Sequence, residues 1–159
     1  REQRSTFPRD PAHPSGREHG ISTRGAARRG MRIYLDTSAA AKVLVDEAES
    51  EALTAYLDDE RSNTEIVSSA LLETELRRLA GRLGLDQSAV SDRLTRIDLI
   101  DPSRSIFHEA GVLPGPTLRS LDALHLATAL RIEADVVVAY DLRLLDAARD
   151  LGLAIDSPA

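Results

Sequence analysis

Four carboxylates stand where an alternating chain of strands and helices could gather them: Asp36, Glu75, Asp122 and Asp141. Asp36 ends the apolar run Ile33-Tyr34-Leu35, and Asp141 follows Val136-Val137-Val138-Ala139 after one intervening residue, Tyr140. Ligands of open α/β sheets collect at the carboxyl ends of the strands, so both aspartates are placed for chemistry. Glu75 falls in the middle of a helical pattern. Asp122 falls in the first turn of another helix, apolar on nearly every side, where an unpaired carboxylate is costly. Acids brought together push each other's pKa upward unless a cation holds them ionised. An all-oxygen donor set in a chain with no Cys suits Mg²⁺ or Mn²⁺. Such an ion can polarise a phosphoryl oxygen and deprotonate a bound water, and it would explain how an acidic domain tolerates a phosphate ligand. Each acid also has an ordinary structural explanation. Asp36 and Asp141 can N-cap the helices that follow them, and Asp122 can complement a helix N-terminus. Glu75 can lie on a solvated face beside Arg78 and Arg82. At this level both readings stand.

The elements that must position these residues follow from hydrophobic spacing. Arg32–Asp36 reads as the first strand, followed by helical patterns over Thr37–Val45 and Ala48–Leu57. Glu65–Ser68 is a short β-branched strand. Ser69–Leu83 is a helix whose apolar side carries Leu71, Leu72, Leu76, Leu79 and Leu83, ended by Gly84. Asp86 and Ser88 open a helix with Val90, Leu94 and Ile97 as its buried stripe. Ile97–Ile100 is a third strand, stopped by Asp101-Pro102. Residues 103–113 form a short helix, and Pro114-Gly115-Pro116 is a loop. Ser120 is expected to cap a helix running to Ile132 that is buried on most sides. Val136–Ala139 has the uninterrupted β-branched character of a central parallel strand. Leu142–Leu151 is helical up to Gly152, and Ala154-Ile155 closes the chain as a last strand. This alternation predicts an α/β fold, with about five parallel strands flanked by helices and the acids at the strands' carboxyl ends.

Composition narrows the class. The 159 residues are 42% hydrophobic and 29% charged, which suits one domain with a real core, and with aromatics at 3% that core must be aliphatic. Residues 1–30 carry seven Arg against three acids, or +4, so the remaining residues carry −10 of the net −6. Phosphate binding normally needs basic surface, so an acidic domain that handles a phosphate backbone must neutralise its carboxylates locally. Residues 1–30, with three prolines, four glycines and almost no apolar residues, are expected to be a disordered basic extension. Met31, the only methionine, is the expected natural start; the alternative is a basic arm that contacts nucleic acid. No apolar run approaches the roughly 20 residues that span a bilayer, and no signal peptide is evident, so a cytoplasmic protein without membrane contact is expected.

The segments Tyr34-Leu35-Asp36-Thr37-Ser38, Ser68-Ser69-Ala70-Leu71-Leu72-Glu73-Thr74-Glu75-Leu76, Ser120-Leu121-Asp122-Ala123-Leu124-His125-Leu126-Ala127-Thr128-Ala129 and Ala139-Tyr140-Asp141-Leu142-Arg143-Leu144 occur in that order. Together they resemble a PIN-domain ribonuclease toxin of the VapC type, over residues 31–159. The resemblance implies an acidic metal site on Asp36, Glu75, Asp122 and Asp141, supported by Ser38 and Thr37. It implies Mg²⁺- or Mn²⁺-dependent cleavage of RNA that leaves 5′-phosphate and 3′-hydroxyl ends. It also implies a homodimeric toxin and a cognate VapB-type antitoxin whose C-terminal segment covers the site. Glu73 and Glu75 compete for the family's glutamate. The place after Thr74 and before Leu76 selects Glu75, and two residues apart on a helix is about 200° of rotation, so one of the two must face away. His125, one turn after Asp122, could touch the site but reads first as a packed helix histidine, and Arg77, Arg78, Arg82 and Arg143 read as solvated charges with RNA phosphates or antitoxin acids as alternatives.

Other functions fit less well. A receiver-like Mg²⁺-binding phospho-acceptor wants an acidic pair before the end of the first strand and a late lysine, but Arg32 stands in that strand and Lys42 is the only lysine. A nucleotide-binding module wants a glycine-rich phosphate loop where Thr37-Ser38-Ala39 stands. A PIN nuclease of RNA processing would carry the same acids as a toxin, and a small antitoxin reading frame directly upstream would separate the two.

Overall fold

A computed structural model describes residues 30–58 and 63–159. The expectation for residues 1–30 falls almost wholly outside them. Five strands and, among the described residues, seven helices follow one another as β1 (Arg32–Leu35), α1 (Thr37–Leu44), α2 (Ser50–Leu57), β2 (Glu65–Ser69), α3 (Leu71–Leu83), α4 (Gln87–Leu94), β3 (Asp98–Ile100), α5 (Arg104–Val112), α6 (Ser120–Arg131), β4 (Val136–Val138), α7 (Leu142–Asp150) and β5 (Ile155–Asp156). The sheet is parallel throughout, in the order β3-β2-β1-β4-β5.

That order decides where a ligand can sit. From β1 the chain builds outward through β2 to β3, then returns to lay β4 and β5 along the other side of β1. The reversal between β1 and β4 is a topological switch point, and the crevice beyond the carboxyl ends of those two strands is where such sheets bind ligands. Tyr34 pairs with Val67 on one side and Val137 on the other, so β1 is fully interior. Helices cover both faces, and alternate residues of β1 enter different cores. Ile33 and Leu35 join Leu53, Leu72, Leu76 and Val90. Tyr34, pointing the other way, joins Leu126, Leu144 and Leu145.

The seven consecutive residues Ala123–Ala129 of α6 are all buried, as its apolar circumference requires. Gly84 closes α3 at φ 69°, a left-handed conformation that costs other residues strain, and lets Leu85 N–H donate to Ala80 O. Several boundaries shift by one or two residues from the pattern, and two of the shifts have a clear local cause. Ser69 belongs to β2, not to α3, because its register with Ile100 extends the strand and Ala70 N–H still donates to Ile100 O. Arg119, not Ser120, is the extended residue preceding α6, and no side chain caps that helix.

Candidate active site

Asp36 ends β1 and is buried, 5% exposed. Its Oδ2 accepts hydrogen bonds from Ser38 N (2.9 Å) and Ser38 Oγ (2.5 Å), so it does cap α1. The cap occupies one oxygen only. Oδ1 has no partner among the described residues, yet no buried side-chain oxygen there is left unpaired, so Oδ1 reaches the surface of the crevice. Ser38 does more than turn the chain. Its Oγ accepts from Tyr140 N (2.8 Å) and Asp141 N (3.3 Å), which locks the end of β1 to the end of β4 across the switch point.

Asp141 caps α7 through Oδ1, which accepts from Arg143 N at 2.9 Å, and its Oδ2 meets the Arg143 guanidinium at 3.2 Å. Burial raises its pKa, but the hydrogen bonds and charge of Arg143 outweigh that and hold it below the usual carboxylate range. Asp122, in the first turn of α6, is pushed above that range by burial and then by the charges of Asp141 and Asp36, with Arg143 and Arg119 opposing. Asp122 therefore lies within the field of both Asp36 and Asp141.

Glu75 enters from α3. Its Oε2 accepts from Thr37 Oγ1 (2.6 Å) and from His125 Nε2 (2.8 Å). Burial raises Glu75, and the bonds from His125 and Thr37 more than reverse it. Glu73, on the other side of the helix, instead pairs with Arg77 at 2.7 Å. So of the two glutamates Glu75 is the one tied to the residue next to Asp36.

Two further polar side chains complete this wall. Tyr34 Oη lies 2.7 Å from His125 Nδ1 and accepts from the buried Ser69 N–H at 3.1 Å. An ionised Glu75 can only accept, so Nε2 carries a proton, and in the neutral ring Nδ1 accepts from the Tyr34 hydroxyl. The result is a hydrogen-bonded chain, Ser69–Tyr34–His125–Glu75–Thr37, buried through His125 and half-buried at Glu75 and Thr37. Burial disfavours the charged ring of His125, but the bond to Glu75 and the charges of Asp36, Glu75 and Asp122 raise its pKa on balance. His125 is packed as expected, 2% exposed, and it also touches the site through Glu75, the alternative that its place one turn after Asp122 allows. A polar ring on an otherwise apolar helix needs partners, and that requirement was the available signal.

As placed, no three acidic or imidazole groups among the described residues form a ready-made metal cage. The donor chemistry nonetheless fits a hard divalent cation: only oxygens, one free oxygen on Asp36, and an Asp122 carboxyl raised by burial and by two neighbouring acids.

The PIN domain family matches residues 33–150. The chain is 41% identical over 131 residues to Ribonuclease VapC35 of Mycobacterium tuberculosis, covering 79% of this chain and 96% of that protein. It is 41% identical over 130 residues to Ribonuclease VapC46 of the same organism, covering 80% and 98%. Among solved structures, VapBC2 from Rickettsia felis bound to a promoter DNA fragment aligns with TM-score 0.64 at 17% identity, covering 81% of this chain and 100% of that one. Mycobacterium tuberculosis VapC20, a toxin that cleaves the sarcin–ricin loop, aligns with TM-score 0.59 at 16% identity, covering 72% and 94%. At that identity the two structures speak to the fold.

Proposed function

The chain belongs to the PIN-domain family, among its VapC-type members, and we propose that it is a metal-dependent endoribonuclease, the toxin of a toxin–antitoxin pair acting in the cytoplasm. Its relatives' ribonuclease names support the reaction class, and the gathering of Asp36, Asp122 and Asp141 at the switch point supports the place. The observation that carries the reading is Asp122, a half-buried carboxyl raised first by burial and then by the charges of Asp141 and Asp36. A site built this way is short of positive charge.

Asp36, Asp122 and Asp141 would hold Mg²⁺ or Mn²⁺, with Glu75 beside them. When bound, the ion supplies polarisation of the scissile phosphoryl oxygen and a lowered pKa for an attacking water. The chain's own residues do the positioning. Ser38 fixes the rotamer of Asp36 through Oδ2 and leaves Oδ1 to face the ligand. Arg143 keeps Asp141 ionised. Thr37 and His125 hold Glu75 as a carboxylate that can take a proton from water. Hydrolysis with the 3′-oxygen as leaving group leaves 5′-phosphate and 3′-hydroxyl ends. A VapB-type antitoxin is the proposed partner, consistent with the VapBC2 complex that shares the fold, and the toxin is proposed to be a homodimer.

The test is cleavage of total RNA by the purified chain, with Mg²⁺ or Mn²⁺, with chelator, and with Asp122→Asn. Cleavage that needs the metal, yields ligatable 5′-phosphates and is lost in the variant supports the reading. Chelator-resistant cleavage, or a fully active variant, overturns it.

A further inference from the structure

A strand of RNA must reach the acids through a domain that carries −10, so bulk charge cannot hold it. The cations that meet its phosphates must be ones not already neutralised. Among the described residues, Arg32, Arg77, Arg96, Arg131, Arg143 and Arg149 each pair with a carboxylate, and Lys42 pairs with two. Arg78, Arg82, Arg93, Arg104 and Arg119 have no such partner there and are exposed; of these, Arg78 and Arg82, both on α3, line a cleft together with Glu75.

Their position follows from helix geometry. Glu75, Arg78 and Arg82 stand at i, i+3 and i+7 and share one face of α3. The two arginines are about 6 Å apart along the axis, a spacing on the scale of neighbouring phosphates in one strand. They line a cleft of about 380 Å³ with Thr37, Glu75, Leu79 and Leu121. One end of that cleft is therefore the Thr37–Glu75 hydrogen bond beside Asp36. Leu121, adjacent to Asp122 and 47% exposed, gives it an apolar lining suited to ribose and base faces. Complementing the end of the α3 dipole accounts for Arg82 alone; Arg78 lies a full turn earlier.

We propose that this cleft is the track for the substrate strand, in which Arg78 and Arg82 bind successive phosphates on one side of the scissile phosphate. The proposal rests on the nuclease reading above and adds where the strand lies. RNA is the occupant favoured over an acidic peptide, because phosphates repelled by the adjacent carboxylates need cations next to the site for the strand to continue past it.

The experiment compares the full chain with the Arg78→Gln/Arg82→Gln double variant in chelator. It measures fluorescence anisotropy of a labelled mixed-sequence single-stranded RNA oligonucleotide between roughly 20 and 200 mM KCl. Arg93→Gln/Arg104→Gln is the charge-matched control, since neither residue lines this cleft, and circular dichroism melts check folding. Loss of two phosphate contacts lowers the slope of log affinity against log salt by about 1.4, with the control unchanged. An unchanged slope in the double variant, or an equal fall in the control, overturns the track while leaving cleavage by the wild type to stand. A double variant that binds RNA normally but no longer binds its antitoxin assigns the arginines to the protein partner and also overturns it. A wild-type chain that neither binds nor cleaves RNA overturns both this and the nuclease reading.

Discussion

Replacing Tyr34 and His125 singly and together measures whether the buried chain behind Glu75 is a coupled unit. The two rings meet edge to face with centroids 6.0 Å apart and share a 2.7 Å hydrogen bond. Tyr34→Phe keeps the ring and leaves two buried groups, Ser69 N–H and His125 Nδ1, without their oxygen. Each such orphan costs about 1–3 kcal/mol, so the single variant loses about 2–6 kcal/mol. His125→Leu roughly preserves volume, but it orphans the Tyr34 hydroxyl and removes one of the two donors to Glu75, a loss of similar size. In the double variant neither partner is left waiting for the other. Its loss should therefore fall short of the sum of the singles by about 1–2 kcal/mol, within the range for residues in contact. Urea unfolding of metal-free protein, with a common slope m across the four proteins, reads this directly. Additivity within about 0.3–0.5 kcal/mol would show that the Tyr34–His125 bond contributes nothing, and the account of how Glu75 is positioned would be wrong.

Ser38→Ala removes the 2.5 Å bond to the buried Asp36 carboxylate and leaves Tyr140 N–H without an acceptor; urea unfolding should show a loss of about 2–4 kcal/mol. A loss under 0.5 kcal/mol, the size of an ordinary surface change, would refute its role as the lock between β1 and β4. Stability should also depend on pH through Glu75 and His125. The folded pKa of His125 is raised from 6.5, so its contribution is present below about 6.5 and fades as pH rises through the raised value. That of Glu75 is lowered from 4.5, so its contribution is present above about 4.5 and fades as pH falls through the lowered value. The groups facing His125 are Asp36 at the end of β1, Glu75 on α3 and Asp122 on its own helix. In chelator, the Tm advantage of wild type over His125→Leu should be greatest between about pH 4.5 and 6.5; an advantage that keeps growing above pH 7.5 contradicts the assigned directions.

The strand–helix alternation was legible because Val136–Val138, buried on both faces, and the Leu stripe of α3 carry unambiguous spacing. Strand order was not, because the pairing of β1 with β4 joins residues about a hundred positions apart and leaves no local trace. The same holds for Tyr34 and His125, 91 residues apart. Asp36 shows why motif and packing readings need not exclude each other: it caps α1 with one oxygen and keeps the other at the crevice. Hydrophobic spacing alone leaves Ser69 at the start of α3, whereas pairing with Ile100 holds it in β2. Glu73 and Glu75 could be separated in sequence only by family pattern; Arg77, one turn beyond Glu73, supplies the physical reason that Glu73 stays outside.

The central claim is that acids from the ends of two strands and from two helices make one cation site. Mn²⁺ titration followed by electron paramagnetic resonance tests it without requiring RNA. The account predicts saturable Mn²⁺ binding that is lost or weakened at least ten-fold by either Asp36→Asn or Asp122→Asn and is unchanged by Glu73→Gln. Binding that survives both aspartate variants, or that depends on Glu73, would contradict it.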